Sequence, residues 1–114
     1  MKNWSTALLV TAGMVLVSGR AAAQQADGKA LYLKNCRICH GATGEPSKTN
    51  LTKYPKIPNL RDAEFYKTRS HDSLLVVIKR GAGKEMKPFE GKLTEPEMRA
   101  IMEYMHTLPA KAKP

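Results

Sequence analysis

The sequence has only two cysteines, Cys36 and Cys39, and one tryptophan, Trp4. Two thiols three positions apart are too few for a structural zinc site, which takes four protein ligands. Such a site would need His71, His106 or a carboxylate beside Cys36, Cys39 and His40. A disulfide between the two cysteines would close a tiny loop and constrain little. A thioredoxin-like redox pair follows a strand in a βαβ pattern, and no such pattern precedes Cys36. The apolar run at residues 7–17 falls short of the ~20 residues that span a bilayer. No arginine-rich block occurs; the basic residues are spread along the chain, which speaks against nucleic acid as a partner. Internal repeats, low-complexity linkers and convincing strand patterns are also missing.

What is present begins with an export signal. Lys2 supplies a positive start, residues 7–17 an apolar segment, and Ala21, Ala22 and Ala23 the small residues before a cut after Ala23. An uncleaved anchor fits less well, because the run is short and no cysteine near the cut could take a lipid. The expectation is a signal peptide over residues 1–23 and one domain over residues 24–114, acting in the periplasm. That domain has 91 residues (114 less 23), a size at which a core is modest unless something helps. Without Lys2 and Arg20 it keeps 17 basic and 10 acidic residues, a formal +7. A basic exported surface suits steering towards an acidic face on a partner protein.

Cys36-Arg37-Ile38-Cys39-His40 is the chemical motif of the chain, and it reads as a covalent attachment site for haem c. In a helical turn both sulfurs reach one face. Each thiol adds to a vinyl group of the porphyrin, and His40 follows at once to bind the iron. The second axial position decides the chemistry. A sulfur ligand closes the iron and favours electron transfer, whereas an open position permits ligand binding or peroxide chemistry. Met98, Met102 and Met105 fall on the apolar stripe of the last helix, where methionine is ordinary core filling. Met86 lies instead on a loop with glycines on both sides and Pro88 after it, and is the candidate ligand. His71, at a helix start, and His106, near a helix end, are its competitors.

The flanking segments read as helices. One is expected from about Ala26 into the attachment site, favoured by Asp27 at its start and ended by Gly41, Gly44 and Pro46. Residues 47–59, with Pro55 and Pro58, read as irregular loop. Asp62 can cap a short helix over residues 63–67, and polar residues 70–72 open another that ends at Lys79, Arg80 and Gly81. Thr94-Glu95-Pro96-Glu97 matches a capping box with proline in the first turn. Met98, Ile101, Met102, Met105 and Leu108 then recur at helical spacing. The fold class is all-α.

These residues together resemble the class I c-type cytochromes, over residues 27–108. Gly28 and Tyr32, eight and four positions before Cys36, look like the family's glycine and aromatic in the first helix. Ile101 and Tyr104 look like the aliphatic and aromatic partners in the last. Pro58-Asn59-Leu60 is similar to the segment whose proline carbonyl accepts the imidazole proton of the proximal histidine, here His40. Met86-Lys87-Pro88-Phe89 is similar to the bacterial axial-methionine loop. The resemblance implies three to five short helices around one covalently attached haem, with Cys36, Cys39, His40, Pro58 and Met86 binding it and His40 and Met86 on its iron. It implies a monomeric one-electron carrier and no enzyme, meeting redox partner proteins that have acidic docking surfaces. A haem subunit docked in a membrane oxidoreductase complex is the alternative, and an open-site haem enzyme or gas sensor a further one. The chain departs from the pattern in two ways. Trp4 lies in the leader, so an indole donor to a haem propionate is missing, and Tyr54, Arg61 and Tyr66 are the substitutes. The connection from His40 to Pro58 is also long and lysine-rich.

Overall fold

Five of the helices start where a polar side chain can take up an amide that the helix leaves without a partner. In a computed structural model that describes residues 26–111, Asp27 accepts from Ala30 N at 3.1 Å and opens α1, Gly28–Asn35. The attachment motif follows as a single turn, α2, Arg37–His40. Helix α3 is Lys48–Lys53, α4 is Ala63–Lys67 opened by Asp62, and α5 is His71–Arg80 opened by Ser70. The longest, α6, is Glu95–His106. Both bonds of its capping box form: Glu97 N donates to Thr94 Oγ1 at 3.3 Å, and Thr94 N to a Glu97 carboxylate oxygen at 2.7 Å. A 3₁₀ turn, Pro109–Lys111, ends the described chain. Such caps contribute about 1 kcal/mol each.

The described residues form six α-helices rather than three to five, for two local reasons. The first helix does not run on through the motif, because Cys36 lies between α1 and α2 with a ψ of −27° and no side-chain cap. The segment read as irregular loop also contains α3. Its Ser47 Oγ accepts from Asn50 N at 3.1 Å, a start signal that the prolines further on obscure. Only two isolated bridges, Ala82 with Met86 and Glu90 with Leu93, interrupt the helical character of the described residues. The proposed signal peptide lies outside them.

The core is built where α1 crosses α6 and α5 packs beside it. Met98, Ile101, Met102, Met105 and Leu108 are all buried, as their spacing predicts, with Tyr32 from α1, Leu60, and Leu74, Leu75 and Ile78 from α5. Gly28 permits the crossing. A Cβ there would stand 2.0 Å from the carbonyl oxygen of Ala100, so any larger residue would push the two helix backbones apart. Tyr32 and Tyr104 stack at a tilt with ring centroids 5.4 Å apart, one turn further on.

Candidate functional site

The attachment turn is held from three sides. Cys36 N donates to Tyr32 O at 2.8 Å and His40 N to Cys36 O at 3.0 Å, so the motif stays helical. The Tyr32 hydroxyl donates to Gly41 O at 2.8 Å and ties the far end of the turn to α1. Asn50 of α3 donates its amide to the carbonyls of both Ile38 and Cys39, each at 2.9 Å. A short helix that leaves its carbonyls without partners at its C-terminus is thereby closed by a side chain from the next element. No sequence pattern marked Asn50, because its partners lie eleven and twelve residues away.

Met86 is positioned by the end of α5. Gly81 turns the chain at φ +78°, a left-handed value that glycine adopts freely, and donates to Val77 O at 2.7 Å. The returning loop satisfies the next two helix carbonyls: Phe89 N donates to Ile78 O and Glu90 N to Lys79 O, each at 3.1 Å. Ala82 and Met86 exchange backbone bonds of 2.9 and 3.2 Å, which closes the loop on itself. A Cβ at Gly81 would meet Met86 O at 2.3 Å. The methionine is therefore set by backbone bonds rather than left on a free loop.

These two constructions face one cleft of about 170 Å³. Well-packed interiors leave few voids larger than a water molecule, so an apolar opening of this size is a place for an occupant. Cys36, His40, Pro58 and Met86 line it, among walls that include Leu74, Ile78 and Phe89. Cys39 is half-buried and does not line the cleft. Met105, expected as plain core filling, reaches the wall as well. His71 and His106 do not. Their rings pack against each other with centroids 4.2 Å apart, and His106 Nδ1 lies 2.8 Å from Met102 O.

Burial sets the electrostatics. It lowers the pKa of His40 below the usual imidazole value, which keeps the ring neutral and its lone pair available. Burial, with a smaller contribution from Cys39, pushes the Cys36 thiol up to about 11. His40 Nδ1 is buried and has no hydrogen-bond partner. The expected bond from it to the Pro58 carbonyl is not made. The segment leading to Pro58 is fixed by Ile57 N donating to Tyr54 O and, just beyond, by Leu60 N donating to Gly44 O. The propionate substitutes read from sequence are committed elsewhere or off the cleft. Arg61 pairs with Glu45 at 3.3 Å, and Tyr54 is not on the lining. The single proton of the Tyr66 hydroxyl is shared between Leu60 O and Met105 O, and burial pushes its pKa up to about 12. Arg69, which the sequence reading passed over, does line the cleft.

The donor set fits a haem. A neutral imidazole facing an apolar cleft beside a thioether is the pair of axial donors that haem iron takes. Among the described residues no three His, Cys, Asp or Glu side chains gather to hold a bare ion.

Fold and site together are those of a c-type cytochrome. Comparison with known proteins agrees. The family model described as Cytochrome C oxidase, cbb3-type, subunit III matches residues 23–105. The subunit FixP of the cbb3-type cytochrome c oxidase of Bradyrhizobium diazoefficiens is 28% identical over 83 residues. Those residues are 73% of this chain but only 27% of FixP, so the chain spans about a quarter of that relative. The solved structure of the KustC0563 c-type cytochrome superposes with a TM-score of 0.65 at 32% identity, covering 72% of this chain and 96% of the other. A tyrosine-to-phenylalanine variant of that cytochrome gives 0.64 at 30% identity, over 72% and 98%. The chain belongs to the cytochrome c family of the cbb3-type oxidase subunit III. Membership implies covalently bound haem c with its iron.

Proposed function

We propose that the protein is a one-electron carrier whose single haem is fixed through Cys36 and Cys39 and held on its iron by His40 and Met86. The observation that supports this most is the single cleft lined by Cys36, His40 and Met86, with the methionine pinned by the backbone of residues 81–90. When bound, the haem supplies the Fe(III)/Fe(II) couple; the protein's residues bind, orient and shield it. His40 offers a neutral nitrogen, Met86 a thioether, and the Leu and Ile walls exclude water. The leader over residues 1–23 would be removed on export, leaving residues 24–114 on the periplasmic side.

Electrons would pass at the edge near the thioethers. Ile38, between the two cysteines, is 83% exposed, and Lys34, Arg37, Lys84 and Lys87 are exposed residues of the same two segments. This arrangement suits docking to an acidic partner surface, and it predicts electron transfer that slows steeply with added salt. A flat salt profile would count against the docking ring.

The experiment is spectroscopic. The haem-loaded protein should show a long-wavelength sulfur-to-iron band when ferric, lost in Met86→Ala, and should bind no carbon monoxide when reduced. A missing band together with carbon monoxide binding would replace the carrier with an open-site enzyme or sensor. A second reading, a haem subunit docked in a membrane oxidoreductase complex, is favoured by the likeness to FixP. Among the described residues no helix is long and apolar enough to cross a membrane. Release from native membranes without detergent would overturn that reading.

A further inference from the structure

We propose that Arg69 is a cofactor-binding residue that holds the haem propionates at the rim of the cleft. The inference rests on the haem reading above and adds the group that neutralises the cofactor's acidic edge. Of the sixteen residues that line the cleft, Arg69 is the only one with a permanently charged side chain. Every other described lysine and arginine lies off the lining. The residue is exposed, so its charge is solvated and open to an acidic partner. Yet among the described residues no carboxylate pairs with Arg69.

The side chain is nonetheless held in place. Its Nη1 donates to Phe65 O at 2.9 Å, and its guanidinium carbon lies 4.2 Å from the centre of the Phe65 ring. Phe65 itself lines the cleft. One N–H of five is spent in this way, and the rest form a fork suited to planar carboxylates. The turn that bears Arg69 is anchored in turn: Asp62 caps α4, and the neighbouring charges Glu64 and Lys67 pair with each other. The remaining donors of the exposed Arg69 would be open to the carboxylates of a haem seated in the cleft. This assignment takes the place of the missing indole and of Tyr54, Arg61 and Tyr66. It also gives Arg69 a second effect. A fixed cation near the haem disfavours the ferric form, which has the extra positive charge, and so raises the reduction potential.

The test compares haem-loaded wild type with Arg69→Gln and with Arg69→Met, which keeps the apolar contact to Phe65. Covalent haem is first verified by mass in each. In the wild type the midpoint potential should be flat between pH 5 and pH 8, because Arg69 holds the propionates ionised. In either variant it should be lower at pH 7 and should fall as pH rises through that range, as a released propionate titrates. A purely packing role would be relieved by methionine and would leave the pH profile unchanged. Potentials and profiles that match the wild type in a haem-loaded variant overturn the proposal. So does a wild-type potential that already falls across that range, a result available even if neither variant matures. Wild type that takes up no covalent haem overturns the carrier reading itself.

Discussion

The crossing of α1 and α6 and the cleft beside it are built on opposite principles. At the crossing the chain fills its own space. Gly28 lets backbones touch, Tyr32 and Tyr104 stack, and Ile101 and Leu108 are fully or almost fully buried. At the cleft α1 and α6, joined by α5, present Tyr32, Ile101, Met105 and Ile78 to an opening that no side chain closes. A nitrogen of His40 is left there without a partner. One region folds by complementarity within the chain; the other is shaped to be completed by a ligand. A domain this small gains from that arrangement, since a large apolar occupant supplies core that its own residues do not.

The difference can be broken from either side. Leu108 is buried and does not line the cleft, so Leu108→Ala should cost about 2–5 kcal/mol in chemical unfolding while leaving the ferric spectrum of the loaded protein unchanged. A spectrum that changed with it would mean that the two regions are not separable. Gly28→Ala should cost about 1–3 kcal/mol, because its Cβ falls 2.0 Å from Ala100 O and the helices must shift. A thermal midpoint equal to the wild type would show the crossing to be looser than described. Gly81→Ala should act on the other region. A left-handed φ costs a non-glycine residue about 1–2 kcal/mol, and the added carbon also presses on Met86 O. Its signature is a weakened sulfur-to-iron band, which Gly28→Ala should not produce.

The smallest effect sharpens the comparison at the surface that joins α5 to α6. Arg99 first, then Lys79, hold the Glu95 carboxyl below its usual range through ion pairs at 2.9 and 3.3 Å. Its folded pKa is depressed, so its contribution is present above the unfolded value and is lost as pH falls through the folded one. Because the group is exposed, that contribution is small. Glu95→Gln should lower the urea midpoint slightly at pH 7, and the gap should close in acid. A gap that stayed constant with pH would assign the effect to helix capping instead.

Local signals were legible in the sequence wherever the physics is local. Asp27, Asp62, Ser70 and Thr94 cap the helices they were expected to open, and the stripe from Met98 to Leu108 is buried throughout. Gly28 and Tyr32 were legible only through resemblance, since nothing in spacing alone says that a second helix will pass over that glycine. Helix α3 was hidden because so short a helix depends on tertiary bonds, here those of Asn50 to Ile38 and Cys39. Arg69 was hidden for a similar reason: its place on the cleft comes from the packing of α4 and Phe65, and no periodicity encodes it. Pro58 was likewise legible only through resemblance, and it lines the cleft together with His40.

The central claim is that this cleft seats a haem fixed through the attachment turn. The direct measurement is mass spectrometry of the purified protein after acid denaturation and proteolysis. The account predicts one haem still bound to the peptide that contains Cys36, Cys39 and His40. Peptide of unmodified mass, with the haem released or never present, would contradict it.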